Sequence, residues 1–193
     1  ELAYNIIHGT FGEDGTLQAI LEERGVPYTG AGSRSSALCF NKSESKKVFL
    51  EAGVPTPHAE ILDCSNGIVM PSLPLPFVIK PPCEGSSVGV HIVRRQEDVL
   101  PAMEEAVTHG TTVLVEEFIQ GKELTVGILD GKALPVIHIC PRSGFYDLSN
   151  KYPWMNMGGG TDYICPADLP EETAANVQEA ALKAYKAAGV EVY

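Results

Sequence analysis

The chemistry-bearing residues of this chain gather in four segments. The richest is Phe77-Val78-Ile79-Lys80-Pro81-Pro82-Cys83-Glu84-Gly85-Ser86-Ser87-Val88-Gly89-Val90, a β-type run that ends on a lysine and passes through a loop of small residues into a second β-type run. Glycines at 85 and 89 let backbone approach a ligand closely, and successive amides around Ser86 and Ser87 can converge on anionic oxygens, with two hydroxyls to help. Strand alternation places Lys80 on the same face as Val78, so its ammonium rises from an apolar surface, where a cation is costly unless an anion meets it. This is the composition of a phosphate lid, although an ordinary hairpin loop with a solvated lysine uses the same residues. Neither a Gly-Lys-Ser/Thr phosphate loop nor a Gly-x-Gly-x-x-Gly fingerprint is present.

In the second segment, Val113 to Val126, an apolar run turns abruptly acidic at Glu116-Glu117 and continues through Phe118, Ile119 and Glu123. Where a strand stops, its exposed carbonyl and amide can pair with a purine edge, an apolar residue such as Ile119 can cover the ring, and a carboxylate such as Glu123 can accept from ribose hydroxyls. Two glutamates in water at a strand end are the plainer alternative. The third segment, Gly144 to Tyr152, heads a long Gly-rich loop and offers Tyr146, Lys151 and Tyr152 to a buried anion; aromatic anchoring of the loop is the competing account. The fourth is a glycine-rich turn containing His8, Gly9, Gly12, Glu13, Asp14 and Gly15.

Positioning these groups takes a mixed set of elements. Apolar spacing predicts short helices over 15–24 and 33–40, with Asp14 capping the first, and another over 41–52 capped by Asn41 and stopped by Gly53. Strands are expected over 76–80, 88–93 and 112–119, a helix over 97–109, and a hairpin whose arms, 123–129 and 133–139, flank Asp130-Gly131. A long amphipathic helix over 170–188 should bury Val177, Ala180, Ala181, Ala184 and Tyr185. Long loops are expected over 63–76 and 141–161, and the alternation at 189–193 reads as an opening strand. Interspersed helices and strands with an antiparallel pair indicate an α/β or α+β class with mostly antiparallel sheets.

The 193 residues carry a net charge of −11, with 44% hydrophobic and 20% charged residues. Such a chain can build a core, and it lacks the basic surface that neutralises nucleic-acid phosphates or an anionic bilayer, so neither nucleic acid nor membrane is expected as a partner. No apolar run approaches the length of a membrane span, and nothing resembles a signal peptide. Five scattered cysteines without a Cys-x-x-Cys pair suit reduced thiols in the cytoplasm and disfavour a disulfide framework or zinc site. The opening on Glu1 and the unfinished strand at the end suggest a fragment.

Taken in order, the segments resemble the ATP-grasp superfamily, and within it the D-alanine:D-alanine ligase family. The residues carrying the resemblance are His8-Gly-Thr-Phe-Gly-Glu-Asp-Gly15 with Gln18, Pro27-Tyr-Thr-Gly30, Ser36-Ala37 through Asn41-Lys42, Lys80-Pro-x-x-Glu-Gly-Ser-Ser-Val-Gly89, Glu116-Glu-Phe-Ile-x-Gly-x-Glu123, and Phe145-Tyr-Asp through Lys151-Tyr152. Each motif alone is weak; their order is specific.

The resemblance implies an ATP-grasp fold with a central antiparallel sheet domain and part of a C-terminal sheet domain. Its divisions are 1–12 (end of an N-terminal substrate domain), 13–117 (central) and 118–193 (partial C-terminal). It implies ATP held by Lys42 and Lys80 at the α- and β-phosphates, with Glu84, Ser86 and Ser87 in the loop over them. Glu116, Glu117, Phe118 and Ile119 surround the adenine, Glu123 takes the ribose, and Tyr146 and Lys151 complete the nucleotide contacts. The catalytic set is Ser86, Lys151, Tyr152 and His8, with His8 near the first D-alanine. The implied reaction is formation of D-alanyl-D-alanine for peptidoglycan through an acyl phosphate, in a cytoplasmic homodimer. A D-lactate acceptor and a non-catalytic nucleotide-binding module are the alternatives. Magnesium is implied too, but its Arg-x-Asp and Glu-x-Asn ligands are expected beyond residue 193, as a further N-terminal segment is expected before residue 1. The 193 residues alone are therefore expected to bind nucleotide weakly and not to turn over.

Overall fold

Alternation and register decide the architecture around Lys80. Four short runs, β1 (Ala59–Asp63), β2 (Phe77–Lys80), β3 (His91–Val93) and β4 (Thr112–Glu117), pair antiparallel in the order β1-β4-β2-β3. One face of this sheet presents Phe77, Ile79, Val93, Val113 and Val115, all nearly or fully buried. Helix α4 (Val99–Ala106) covers them with Val99, Ala102, Met103 and Ala106, the spacing of a single helical stripe. Burying each large apolar side chain of this core contributes about 1.5–3 kcal/mol. The other face carries the odd mixture of Val78, Lys80, Leu114 and Glu116, because Val78 stands opposite Glu116 and Lys80 opposite Leu114.

The structure is a computed structural model that describes residues 2–152, 154 and 160–191, with only the backbone of residues 148 and 149. It divides into two compact units, Thr56–Gly121, which holds the sheet above, and Glu1–Pro55 with Lys122–Tyr193. In the latter, α1 (Thr16–Glu23), α2 (Ser33–Phe40) and α3 (Lys42–Glu51) follow one another closely. Asn41 caps α3, its side chain accepting from the amides of Ser43 at 3.0 Å and Glu44 at 3.2 Å. Asp14 accepts from the amides of Phe11 and Thr16, which starts α1 one turn position beyond the acid itself, at Gly15. The same unit contains the sheet β5-β8-β9, made of β5 (Glu123–Thr125), β8 (Ile137–Pro141) and β9 (Thr161–Ile164), and the ribbon of β6 (Ile128–Leu129) with β7 (Lys132–Ala133). A single turn, α5 (Leu148–Lys151), interrupts the long loop, and α6 (Glu171–Ala187) lies against α3 and the β6–β7 ribbon.

Several expectations need correction. The second β-run of the glycine-rich segment begins at His91 rather than Val88, because Ser86, Ser87 and Gly89 take positive φ values of 51°, 63° and 66° and curl residues 86–89 into turns. Strand β4 stops at Glu117 rather than Ile119, one residue before the Phe118 amide makes a last in-register hydrogen bond to the carbonyl of Pro76. The helix over 97–109 is a shorter α-helix between two 3-10 turns, Gln96–Asp98 and Val107–His109. Asp130 and Gly131 make the tight turn at φ 51° and 69°, but the hairpin arms break: two residues, 126 and 127, face three, 134–136, which forms a bulge around Pro135. The five apolar positions expected to be buried on α6 are only half-buried. Strands β1 and β9 had no counterpart in the sequence reading, and the strand expected over 189–193 reaches residues 192 and 193, outside the described residues.

Candidate functional site

In the Thr56–Gly121 unit the cation that alternation raised on an apolar face is met by an anion. Lys80 Nζ forms an ion pair with Glu116 Oε2, the two side chains only 21% and 11% exposed. Glu116 was expected beside a purine; its carboxylate also partners the lysine expected at the phosphates, so one pair joins the first two candidate segments. Directly after Lys80 the loop adopts left-handed backbone at Ser86, Ser87 and Gly89, and is closed by short turns in which Val88 N donates to Gly85 O and Val90 N to Ser87 O. Tight turns of this kind can gather successive amides into a concavity suited to anions.

Two contacts hold the loop to the end of the helix-bearing side. Glu84 Oε1 lies 3.5 Å from His109 Nδ1. Gly89 is buried so tightly that a Cβ there would stand 2.8 Å from Pro81 Cγ and 3.2 Å from His109 Cδ2. At the end of β4, Glu117 is fixed by His58, whose amide donates to its Oε1 at 2.9 Å, while Arg94 stacks on the Phe118 ring at 4.6 Å. Ile119, 61% exposed, projects beyond the strand. Sequence reasoning had no means to find His109 or Arg94, each far along the chain from its partner.

The Glu1–Pro55 and Lys122–Tyr193 unit brings together the other group. Lys151 Nζ sits 4.8 Å from the centre of the Tyr146 ring, Tyr146 shares a 2.8 Å hydroxyl–hydroxyl hydrogen bond with Tyr163 on β9, and the Tyr152 ring meets Trp154 edge-on at 5.2 Å. Partial burial raises the Glu123 carboxyl above the usual range, while the charge of Lys151 pulls it back. The Tyr146 phenol is pushed up to about 12, first by its hydrogen bond to Tyr163, then by burial and by the charges of Tyr163 and Glu123. Lys42 is the first residue of α3 and half-buried; His8 stands apart from this cluster on the N-terminal turn, its side chain 91% exposed and 4.0 Å from Glu13.

Tyr28 behaves like Tyr146: burial and the Glu22 carboxylate, which accepts its hydroxyl at 2.5 Å, push it up to about 12. An unfolded tyrosine ionises near pH 10. The native state therefore keeps these two protons longer, and the stability they confer is full below about pH 10 and is lost as the pH climbs toward about 12. Ultraviolet titration of the folded chain should show a phenolate component rising near pH 12 that is missing in the Tyr28→Phe, Tyr146→Phe double variant. Complete phenol ionisation by about pH 10.5 would refute this placement of the two hydroxyls.

Comparison with known proteins bears on the whole of this arrangement. The family model described as "D-ala D-ala ligase C-terminus" matches residues 57–192. The D-alanine–D-alanine ligase of Methylacidiphilum infernorum is 43% identical over all 193 residues, which cover 61% of that protein. That of Citrifermentans bemidjiense is 44% identical, again over the whole chain and 62% of the relative. Among solved structures, D-alanine–D-alanine ligase from Bacillus anthracis complexed with ATP superposes with a TM-score of 0.82 at 32% identity, over 99% of this chain and 60% of that one. VanG D-Ala:D-Ser ligase from Enterococcus faecalis gives 0.81 at 33% identity, over 97% and 56%. The chain thus spans about three fifths of the length of the curated relatives it matches. By that family model over most of its length, and by the solved structures that superpose on it, this chain belongs to the D-alanine–D-alanine ligase family and has its α+β, ATP-grasp fold.

Proposed function

We propose that the full-length protein is an ATP-dependent ligase that joins two molecules of D-alanine into D-alanyl-D-alanine, the peptidoglycan precursor. The observation that carries this reading is the Lys80–Glu116 pair beside a loop of left-handed residues, in a chain 41–44% identical to several named D-alanine ligases. In the reaction, the carboxylate of one D-alanine attacks the γ-phosphorus of ATP and expels ADP. The amine of the second then attacks the resulting acyl phosphate, loses a proton and expels phosphate. Such chemistry asks the protein mainly for placement and charge neutralisation.

On this reading Lys80, with Lys42, balances charge on the α- and β-phosphates, and Glu84, Ser86 and Ser87 lie in the loop over them. Glu116, Glu117, Phe118 and Ile119 border the adenine, Glu123 accepts from the ribose, and Tyr146, Lys151 and Tyr152 approach the γ-phosphate and reacting groups, with His8 and Ser86 near substrate. The segments 1–12, 13–117 and 118–193 serve as substrate, central and C-terminal portions. Among the described residues no three of His, Cys, Asp and Glu are grouped to hold a metal ion. Magnesium belongs to the same proposal, and no step here is routed through the metal. No helix among the described residues is long and apolar enough to cross a membrane; a cytoplasmic homodimer completes the proposal.

The likeness to a D-Ala:D-Ser ligase is as close in fold as that to the D-alanine enzyme, so the acceptor is the open choice. Phosphate release by the full-length protein should require ATP and D-alanine alone, and adding D-lactate or D-serine should leave the dipeptide as the main product. Release that depends on D-lactate or D-serine would change the acceptor, and no D-alanine-dependent release at all would favour a nucleotide-binding module.

A further inference from the structure

Asn150 is the one side chain in the loop between β8 and β9 that is almost wholly buried among the described residues, at 1% exposure, and a buried amide group must be satisfied on both of its ends. The two hydrogens of its Nδ2 are shared among the carbonyl of Ser143 at 2.6 Å, the carbonyl of Phe145 at 2.9 Å and Asp147 Oδ1 at 3.1 Å. Its Oδ1 accepts from the Gly160 amide at 3.3 Å. Its main chain continues the pattern, the amide donating to Asp147 Oδ1 and the carbonyl accepting from the Thr161 hydroxyl. A single residue thereby ties the outgoing limb, 143–147, to the returning limb, 160–161. A second tie lies at the neck: Arg142 N donates to Gly160 O, and its guanidinium grips Asp162 through Nη2 at 2.7 Å and Nε at 3.3 Å.

We infer that Asn150 is a positioning residue that sets where Lys151 and Tyr152, its immediate successors in the chain, present their side chains. The inference rests on the reading in which those two residues approach the reacting groups. No other residue type of this size offers two donors and an acceptor from one planar head: aspartate turns only oxygens toward the two carbonyls and the Asp147 carboxylate, and leucine offers nothing. With the hub removed, α5 loses its anchor to both limbs, and Lys151 and Tyr152 lose a fixed origin.

Turnover and loop order are separate readouts. Asn150→Ala in the full-length protein should lower kcat about 100-fold, because a misplaced group near the chemistry costs rate. Trp154 is the only tryptophan of these 193 residues and stands against Tyr152, so its time-resolved fluorescence anisotropy reports on the loop without any reaction. In the 193-residue chain, Asn150→Ala should add a fast depolarising component. Should that variant not fold, Asp147→Ala and Asp147→Asn decide the matter: the first removes an acceptor of Asn150, and the second, which keeps an oxygen there, should recover most of the loss. An unchanged kcat, or a lowered kcat with unchanged anisotropy, or equal effects of the two Asp147 variants would overturn the inference. Were the parent protein to show no D-alanine-dependent turnover, the ligase reading would fail while anisotropy still decides what Asn150 holds.

Discussion

Replacing Lys80 by alanine in the full-length protein is expected to lower D-alanine-dependent phosphate release by about 100- to 1000-fold, the usual cost of deleting one preorganised charge partner of a reacting oxyanion. Stability changes in the same variant, and the two effects can be told apart. Lys80 and Glu116 are largely shielded from water, so removing the ammonium takes this ion pair away from a carboxylate at 11% exposure. That loss falls on the fold and would depress activity by itself. The Lys80→Met, Glu116→Gln double variant removes both charges with little change in volume and should regain most of the stability, as neutral replacements of shielded pairs commonly do. Turnover should stay low in the double variant, because the ammonium proposed to meet the phosphates is gone. A rate for Lys80→Ala within about threefold of the parent would take the residue out of the site.

This pairing also shows where reading the chain stops. That Lys80 shares a face with Val78 follows from strand period alone, and that a cation on such a face needs an anion follows from solvation. Which anion meets it depends on the partner strand and its register, information that enters only when β4 pairs with β2 and sets Val78 opposite Glu116. The same division runs through the fold. Helix α2, the Asn41 cap and the Asp130-Gly131 turn were legible because each is decided by neighbours within a few residues. The bulge around Pro135 was not, since it arises from a mismatch between two arms. Edge strand β1 was missed because its exposure pattern is irregular, with Ile61 facing outward at 43% exposure. Asn150 lies inside a segment singled out for Lys151 and Tyr152, yet polarity in a loop signals exposure, and only the folded loop shows it buried with its amide fully engaged.

The Gly89→Ala variant is expected to destabilise the 193-residue chain by about 2–4 kcal/mol, more than either small-residue chemistry or loop location would suggest. Two independent terms act at this position. At φ 66° an alanine pays the left-handed penalty that glycine avoids. The new methyl would also stand 2.8 Å from Cγ and 3.0 Å from Cδ of Pro81, a ring that is fully buried and cannot swing aside, and 3.2 Å from His109 Cδ2. Relief has to come from moving Pro81, which follows Lys80 directly, or His109, which holds Glu84. Either movement displaces the loop, so the KM for ATP should rise in the full-length variant along with the loss of stability. Gly85, four residues earlier in the same loop, has nothing within 4 Å of the place a methyl would occupy and no left-handed φ, so Gly85→Ala should stay within about 0.5 kcal/mol of the parent. Denaturant midpoints of the two variants compare them directly. Equal midpoints would mean that the loop yields freely at Gly89, and the close packing of Pro81 and His109 around it would then play no part in shaping the proposed phosphate cradle.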